Sequence, residues 1–116
     1  MSFEGILSDI KVLDFSTLLP GPLASLFLSE MGAEVIKVER LKFGDEMRRK
    51  TPEIDGTNVS FAILNRGKKS IEINLKNNFQ NEKLKKLIKE VDIVLEQFRP
   101  GVMKRLGLDY SSIKLI

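Results

Sequence analysis

Arg40, Lys76 and Arg105 are the residues whose type and position point most directly to chemistry: each follows a stretch that reads as a strand. In open α/β sheets, ligands bind beyond the carboxyl ends of the strands. Fixed cations there, near a helix N-terminus, suit a phosphorylated ligand. Taken singly, each reads best as a solvated surface charge; together, on one edge, they weaken that reading. Phe98, beside Gln97 at a strand end, is either ordinary core or a wall for a base or ring.

Other chemistry is sparse. The chain has no cysteine and no histidine. That removes disulfides, thiolate nucleophiles and Cys-based metal sites, together with the usual general base near neutral pH. Only carboxylates, Lys, Ser, Thr and Tyr110 remain. Glu39, Asp45, Glu46, Asp92 and Glu96 read as exposed or partnered, with no isolated pair spaced for acid–base work. Asp14 ends a buried strand and is expected to cap the turn that follows. No catalytic residue and no metal site are assigned. Two phosphate motifs fail. The first turn supplies only Gly21 where a dinucleotide fingerprint needs three glycines. The stretch Ala62–Ser70 imitates a phosphate loop but puts Lys69 where a magnesium ligand is required, and it leads into a strand.

The elements that must position these residues alternate. Ile10–Phe15 reads as a buried strand. Pro20-Gly21-Pro22 ends it, with Pro22 suited to the first turn of a helix. Leu23, Leu26, Phe27 and Met31 recur at helical spacing, Gly32 is a left-handed stop, and Val35–Glu39 is the second strand. Residues 41–58 read as a long surface loop, of a length usually functional or mobile; Lys42 is expected in solvent. A short helix is slightly favoured over Val59–Leu64. Ser70–Leu75 alternates like a half-buried strand. Asn77 or Asn78 caps the next helix, whose core face is Leu84, Leu87, Ile88 and Val91. Asp92–Phe98 is a strand, Val102–Leu106 a short helix, and Ser111 a cap for another that runs into Ile113, Leu115 and Ile116. That apolar end reads as an interrupted element. The alternation predicts an α/β fold, a mostly parallel sheet with helices packed on it. Right-handed crossovers then place the loops after Phe15, Glu39, Leu75 and Phe98 on one edge.

Composition narrows the partners. With 42% apolar and 30% charged residues, the 116-residue chain is ordinary globular material for one domain. Its net charge of +3 is a mild excess, consistent with a mixed solvated surface. Nucleic acid is not an expected partner, because that needs a stronger basic stripe with exposed aromatics. Apolar runs fall far short of the roughly 18 residues of a membrane span. The opening Met1–Gly5 has no basic n-region. A cytoplasmic protein is expected.

Six motifs then recur in order: Ile10–Phe15; Pro20-Gly21-Pro22; Met31–Arg40; Gly44-Asp45 with Arg48; Asn65–Ile71; and Phe98–Val102 with Arg105-Leu106-Gly107. Together they resemble the N-terminal part of the class III coenzyme A transferases, a family that includes formyl-CoA transferase and α-methylacyl-CoA racemase. The resemblance covers essentially the whole chain. It implies a Rossmann-like domain over residues 1–116 that binds CoA, in full-length proteins that form an interlocked homodimer. It places CoA contacts on Leu19, Pro20, Arg40, Ile73, Lys76, Gln97, Phe98 and Arg105. Gln97 stands where Asn is frequent and Pro20 where Ala is frequent. The family's catalytic aspartate aligns beyond Ile116. The implied activity of the parent protein is transfer of CoA between an acyl-CoA and a carboxylic acid. Racemisation of an acyl-CoA, a non-catalytic CoA or nucleotide-binding module, and a degenerate subunit pairing with a longer partner stand as alternatives. The chain alone is expected to be catalytically silent.

Overall fold

The computed structural model describes residues 5–115. Met1–Glu4 and Ile116, and with them part of the readings of the opening segment and the apolar end, lie outside the described residues. The strands are β1 (Lys11–Asp14), β2 (Glu34–Arg40), β3 (Glu53–Ile54), β4 (Thr57–Asn58), β5 (Lys69–Ile73) and β6 (Ile93–Leu95). The helices are α1 (Pro20–Glu30), α2 (Val59–Leu64), α3 (Asn78–Ile88), α4 (Val102–Arg105) and α5 (Tyr110–Ile113). A 3-10 turn occupies Glu46–Arg49.

The main sheet runs β5-β2-β1-β6, and each neighbouring pair is parallel. The order reverses at β1, whose neighbours are β2 on one side and β6 on the other. A crevice opens at such a reversal, beyond the carboxyl ends of the strands. Alternate residues of a strand face opposite sides of the sheet, and here the two sides differ in kind. One carries Leu13, Phe15, Ile36 and Val38 against Leu84 and Ile88 of α3 and Met103 and Leu108 near α4. Each such fully buried side chain contributes roughly 1.5–3 kcal/mol. The other side begins apolar with Val12, Ala33 and Val35. It then turns polar: Asp14, Lys37 and Glu39 are all buried.

Local signals explain most of the elements. Pro20 and Pro22 open α1, where a missing N–H costs nothing. Gly32 ends its turn at φ 104°, a conformation that L side chains avoid. The Asn77 side chain accepts from the Gln80 amide at 3.0 Å and caps α3, and Asn58 caps α2 in the same way at 2.8 Å.

Several expectations are corrected. Residues 41–58 are not plain loop, since they hold the 3-10 turn and the β3–β4 hairpin. Of the two readings open for Glu39 and Asp45, exposed or partnered, the second holds: both are buried and paired, with Arg48 and Lys37. Ser111 lies inside α5; Asp109 stands at its N-cap, accepting from Ser112 Oγ at 2.5 Å. Phe27 and Met31 are exposed, because α1 turns Pro22, Ser25 and Leu26 towards the sheet. β6 stops at Leu95, short of Phe98, because residues 96–98 bend towards the turn after β1.

Candidate functional site

A cleft of about 660 Å³ lies beyond the carboxyl ends of the strands. Phe15 and Thr17 after β1, Arg40 to Lys42 after β2, Ile73 to Lys76 after β5, and Phe98 after β6 supply its walls, and Val102 and Leu106 of the α4 region close it. The Phe15 and Phe98 rings pack tilted, 6.4 Å between centroids. Four residues expected to contact a ligand meet here: Arg40, Ile73, Lys76 and Phe98. Phe98 is thus core and wall at once, half-buried against the main cluster while lining the opening. Lys42 is exposed as expected, yet it lines the cleft as well and adds a cation to its rim.

The other four expected residues do not line the cleft. Leu19 and Pro20 are exposed at the start of α1. Arg105 is exposed in the last turn of α4. Gln97 spends both ends of its amide on the backbone of the turn after β1, donating to Thr17 O at 2.6 Å and accepting from Gly21 N at 3.0 Å.

Beneath that turn lies a buried polar network that the sequence reading missed. Asp14 accepts from Ser16 N at 2.8 Å, and from Ser16 Oγ and Ser25 Oγ at 2.5 Å each. Lys37 Nζ donates to Ser16 O at 2.9 Å and pairs with Asp45 Oδ2 at 2.8 Å, both side chains fully buried. Lys68 Nζ, also buried, donates to Pro22 O and Asn65 Oδ1 at 2.9 Å each and stands 3.8 Å from Asp14. Burial pushes the Lys68 ammonium down to about 8, against the opposing pull of Asp14. Glu39 accepts both Arg48 N–H forks at 2.7 Å, the Asp45 amide at 2.7 Å, and the Ser70 hydroxyl. Burial alone would raise the Glu39 carboxyl; the hydrogen bonds from Arg48, Ser70 and Asp45 overcome it and hold it at about 2. The bond to Glu39 raises Arg48 in turn, and Arg48 lies over the Phe61 ring at 3.9 Å.

Every buried carboxylate among the described residues is therefore committed to holding a loop. Asp14 and Lys68 secure the β1–α1 turn, whereas Glu39, Asp45 and Lys37 tie down the segment after β2. The expectation that Asp14 serves the turn holds, through the serines on either side of it. Among the described residues, no group of three or more Asp, Glu, His or Cys could hold a metal ion. No helix among them is long and apolar enough to cross a membrane.

A parallel sheet that reverses at β1, with helices packed on it and a cleft at the reversal, is a Rossmann-like α/β arrangement. The chain belongs to CoA-transferase family III, whose family model matches residues 7–116. It is 42% identical over 113 residues to the formyl-CoA:oxalate CoA-transferase of Escherichia coli O81, covering 95% of this chain and 27% of that protein. It is 36% identical over 114 residues to the acetyl-CoA:oxalate CoA-transferase of Acetobacter aceti, covering 98% of this chain and 28% of that one. The crystal structure of a CAIB/BAIF family protein from Brucella suis superposes with a TM-score of 0.90 at 34% identity, over 97% of this chain and 31% of that one. The chain thus spans less than a third of the relatives it matches.

Proposed function

We propose that residues 1–116 form the CoA-binding part of a class III CoA transferase, a protein that moves CoA between an acyl-CoA and a carboxylic acid. The observation that carries this reading is the cleft at the strand reversal, where Arg40, Lys42 and Lys76 rim an apolar interior of Ile73, Leu75 and Phe98. CoA matches that mixture: its 3′-phosphate and pyrophosphate offer anions to the rim, and the flat face of its adenine suits the apolar wall. A well-placed cation contributes roughly 1.5–3 kcal/mol to a phosphate hydrogen bond. A base stacked on the Phe98 ring adds about 1–3 kcal/mol.

Leu19, Pro20 and Arg105 stand outside the cleft wall and serve the part of CoA that leaves it. The names of the relatives, which pair CoA thioesters with oxalate, support transfer to a carboxylate as the parent activity. Transfer needs a carboxylate nucleophile free to attack a thioester. Asp14, Glu39 and Asp45 are each locked into the fold, so none of these buried carboxylates is free to attack; the part assigned to this chain is binding CoA. In a full-length protein the nucleophile would lie outside these residues, and a second copy of that protein would complete an interlocked homodimer.

Titration calorimetry of the chain with CoA, dephospho-CoA and pantetheine tests the reading. Affinity should fall in that order, since each truncation removes charge that the rim cations recognise. Equal affinity for CoA and pantetheine would refute it.

A further inference from the structure

We propose that Arg49 is a further ligand-binding residue, which joins Arg40 on the exposed ring of Phe43 to form a two-arginine clamp for the 3′-phosphate of CoA. The inference deepens the CoA-binding reading and rests on it for the identity of the ligand.

Of the three arginines that end or follow β2, one is spent and two are not. Arg48 turns inward, forked on Glu39 at 2.7 Å and lying over the Phe61 ring at 3.9 Å. Arg49, the next residue of the same 3-10 turn, is exposed. Its guanidinium carbon stands 5.4 Å from the centroid of the Phe43 ring. Arg40, on the rim of the cleft, stands 5.7 Å from the same centroid. Among the described residues neither of these two guanidiniums is paired with a carboxylate, whereas those of Arg48 and Arg66 are. The face of an aromatic ring attracts a cation, but one ring that draws in two of them also brings like charges together. An anion bridging the pair would relieve that repulsion.

The backbone that carries the clamp is fixed, and only the tips are free. Gly44 N donates to Arg40 O at 2.8 Å and closes the turn that holds Phe43. Buried Glu39 then accepts the Asp45 amide at 2.7 Å, and Asp45 caps the 3-10 turn by accepting from Met47 N at 2.8 Å. The chain thereby doubles back, so that residue 49 returns to the ring beside residue 40. Phe43, 55% exposed, is the platform that gathers both guanidiniums before a ligand arrives, which lowers the cost of ordering them on binding. CoA offers two kinds of phosphate. Its pyrophosphate is internal, while its 3′-phosphate is a terminal monoester with roughly two negative charges at neutral pH and three free oxygens. Two planar forks without other partners match that group, since each can take a pair of phosphate oxygens. The position agrees. Phe43 and Arg49 do not line the cleft, so the clamp stands beside its rim, where a terminal group of the ligand emerges, and Lys42 and Lys76 remain for the pyrophosphate.

The test is calorimetry of the chain and its Arg49→Ala, Arg49→Lys and Phe43→Leu variants with CoA and with dephospho-CoA, which lacks only the 3′-phosphate. Arg49→Ala is expected to weaken CoA about tenfold and to leave dephospho-CoA affinity unchanged. Arg49→Lys keeps the charge without the fork and should fall between the two. Phe43→Leu should weaken CoA several-fold, again with dephospho-CoA unaffected. All three substitutions are at exposed positions, and Arg49→Lys is the fallback should either of the others fail to fold. Unchanged CoA affinity in Arg49→Ala would overturn the clamp. Equal losses for both ligands would put Arg49 on some other part of CoA and overturn it too, and full CoA affinity in Arg49→Lys would reduce Arg49 to a nearby charge with the same result. An unaltered chain that binds CoA and dephospho-CoA equally would overturn the clamp and leave the CoA-binding reading standing. A chain that binds neither would refute that reading, and the clamp with it.

Discussion

Acid should release the segment after β2 through one carboxylate, and the size of the effect follows from its surroundings. Glu39 is held at about 2, below an ordinary 4.5, because the bonds from Arg48, Ser70 and the Asp45 amide outweigh the cost of burying it. A carboxyl depressed in the folded state binds fewer protons there than in the unfolded chain, so its contribution is fully present above pH 4.5 and is lost as pH falls towards 2. At 1.36 kcal/mol per pH unit, the difference between those values comes to roughly 3 kcal/mol. Arg48 is 41% exposed, and solvent screening of its half of the pair brings the figure to roughly 2 kcal/mol. The assay is urea unfolding of the chain and of Glu39→Gln at pH 7, 5, 4, 3 and 2.5. Other carboxylates titrate in both proteins, so the quantity of interest is the stability gap between them. It should be widest at pH 7 and should narrow by roughly 2 kcal/mol by pH 2.5, about 1 M in the urea midpoint for a slope near 2 kcal/mol/M. A gap that stays constant from pH 7 to 2.5 would refute the reasoning and make Glu39 a packing residue whose charge does not matter.

Arg40 lines the cleft and is exposed, so Arg40→Ala should weaken CoA by about 1–3 kcal/mol in calorimetry without lowering the melting temperature. Lys42 lines the cleft too, which makes Lys89, at the C-cap of α3, the better control: Lys89→Ala should leave CoA affinity unchanged. Lys68, pushed down to about 8 by burial, binds fewer protons folded than unfolded between about pH 8 and its ordinary 10.5. Stability from this group should therefore rise as pH climbs through that window. Comparison of melting temperatures with Lys68→Met, which lacks the titration, checks the sign.

The apolar skeleton was legible in the sequence because it is local. Val12 and Leu13, Val35 to Val38, and the Leu84–Ile88 face each declare themselves by spacing within one element. The strand-end edge followed from handedness, and Arg40, Ile73, Lys76 and Phe98 do converge there. The β3–β4 hairpin was also within reach: Asp55-Gly56 is a hairpin turn signal, and both residues have positive φ, 53° and 77°. Its two-residue strands, however, carry too little hydrophobic alternation to register. The polar network was not legible. Lys37 and Glu39 occupy alternate positions of a buried strand, where charge reads as an exposed face, and their partners Asp45 and Arg48 arrive from a segment with no periodicity. Lys68 sits within the stretch that imitates a phosphate loop, yet it reaches Pro22 O across the fold. The two bonds from Gln97 to Thr17 and Gly21 span a left-handed Leu18, a backbone shape that side-chain pattern does not encode. Pairings between segments distant in sequence are what composition and spacing leave undetermined.

The central claim is that CoA occupies the cleft at the carboxyl ends of the strands, and amide chemical-shift mapping of the isotope-labelled chain during CoA titration tests it most directly. The account predicts saturable shifts concentrated at Thr17, Arg40 to Lys42, Ile73 to Lys76 and Phe98, with little change along the outer face of α1 at Phe27 and Met31. Shifts centred on that outer face, or on the amino ends of the strands near Lys11 and Glu34, would contradict it.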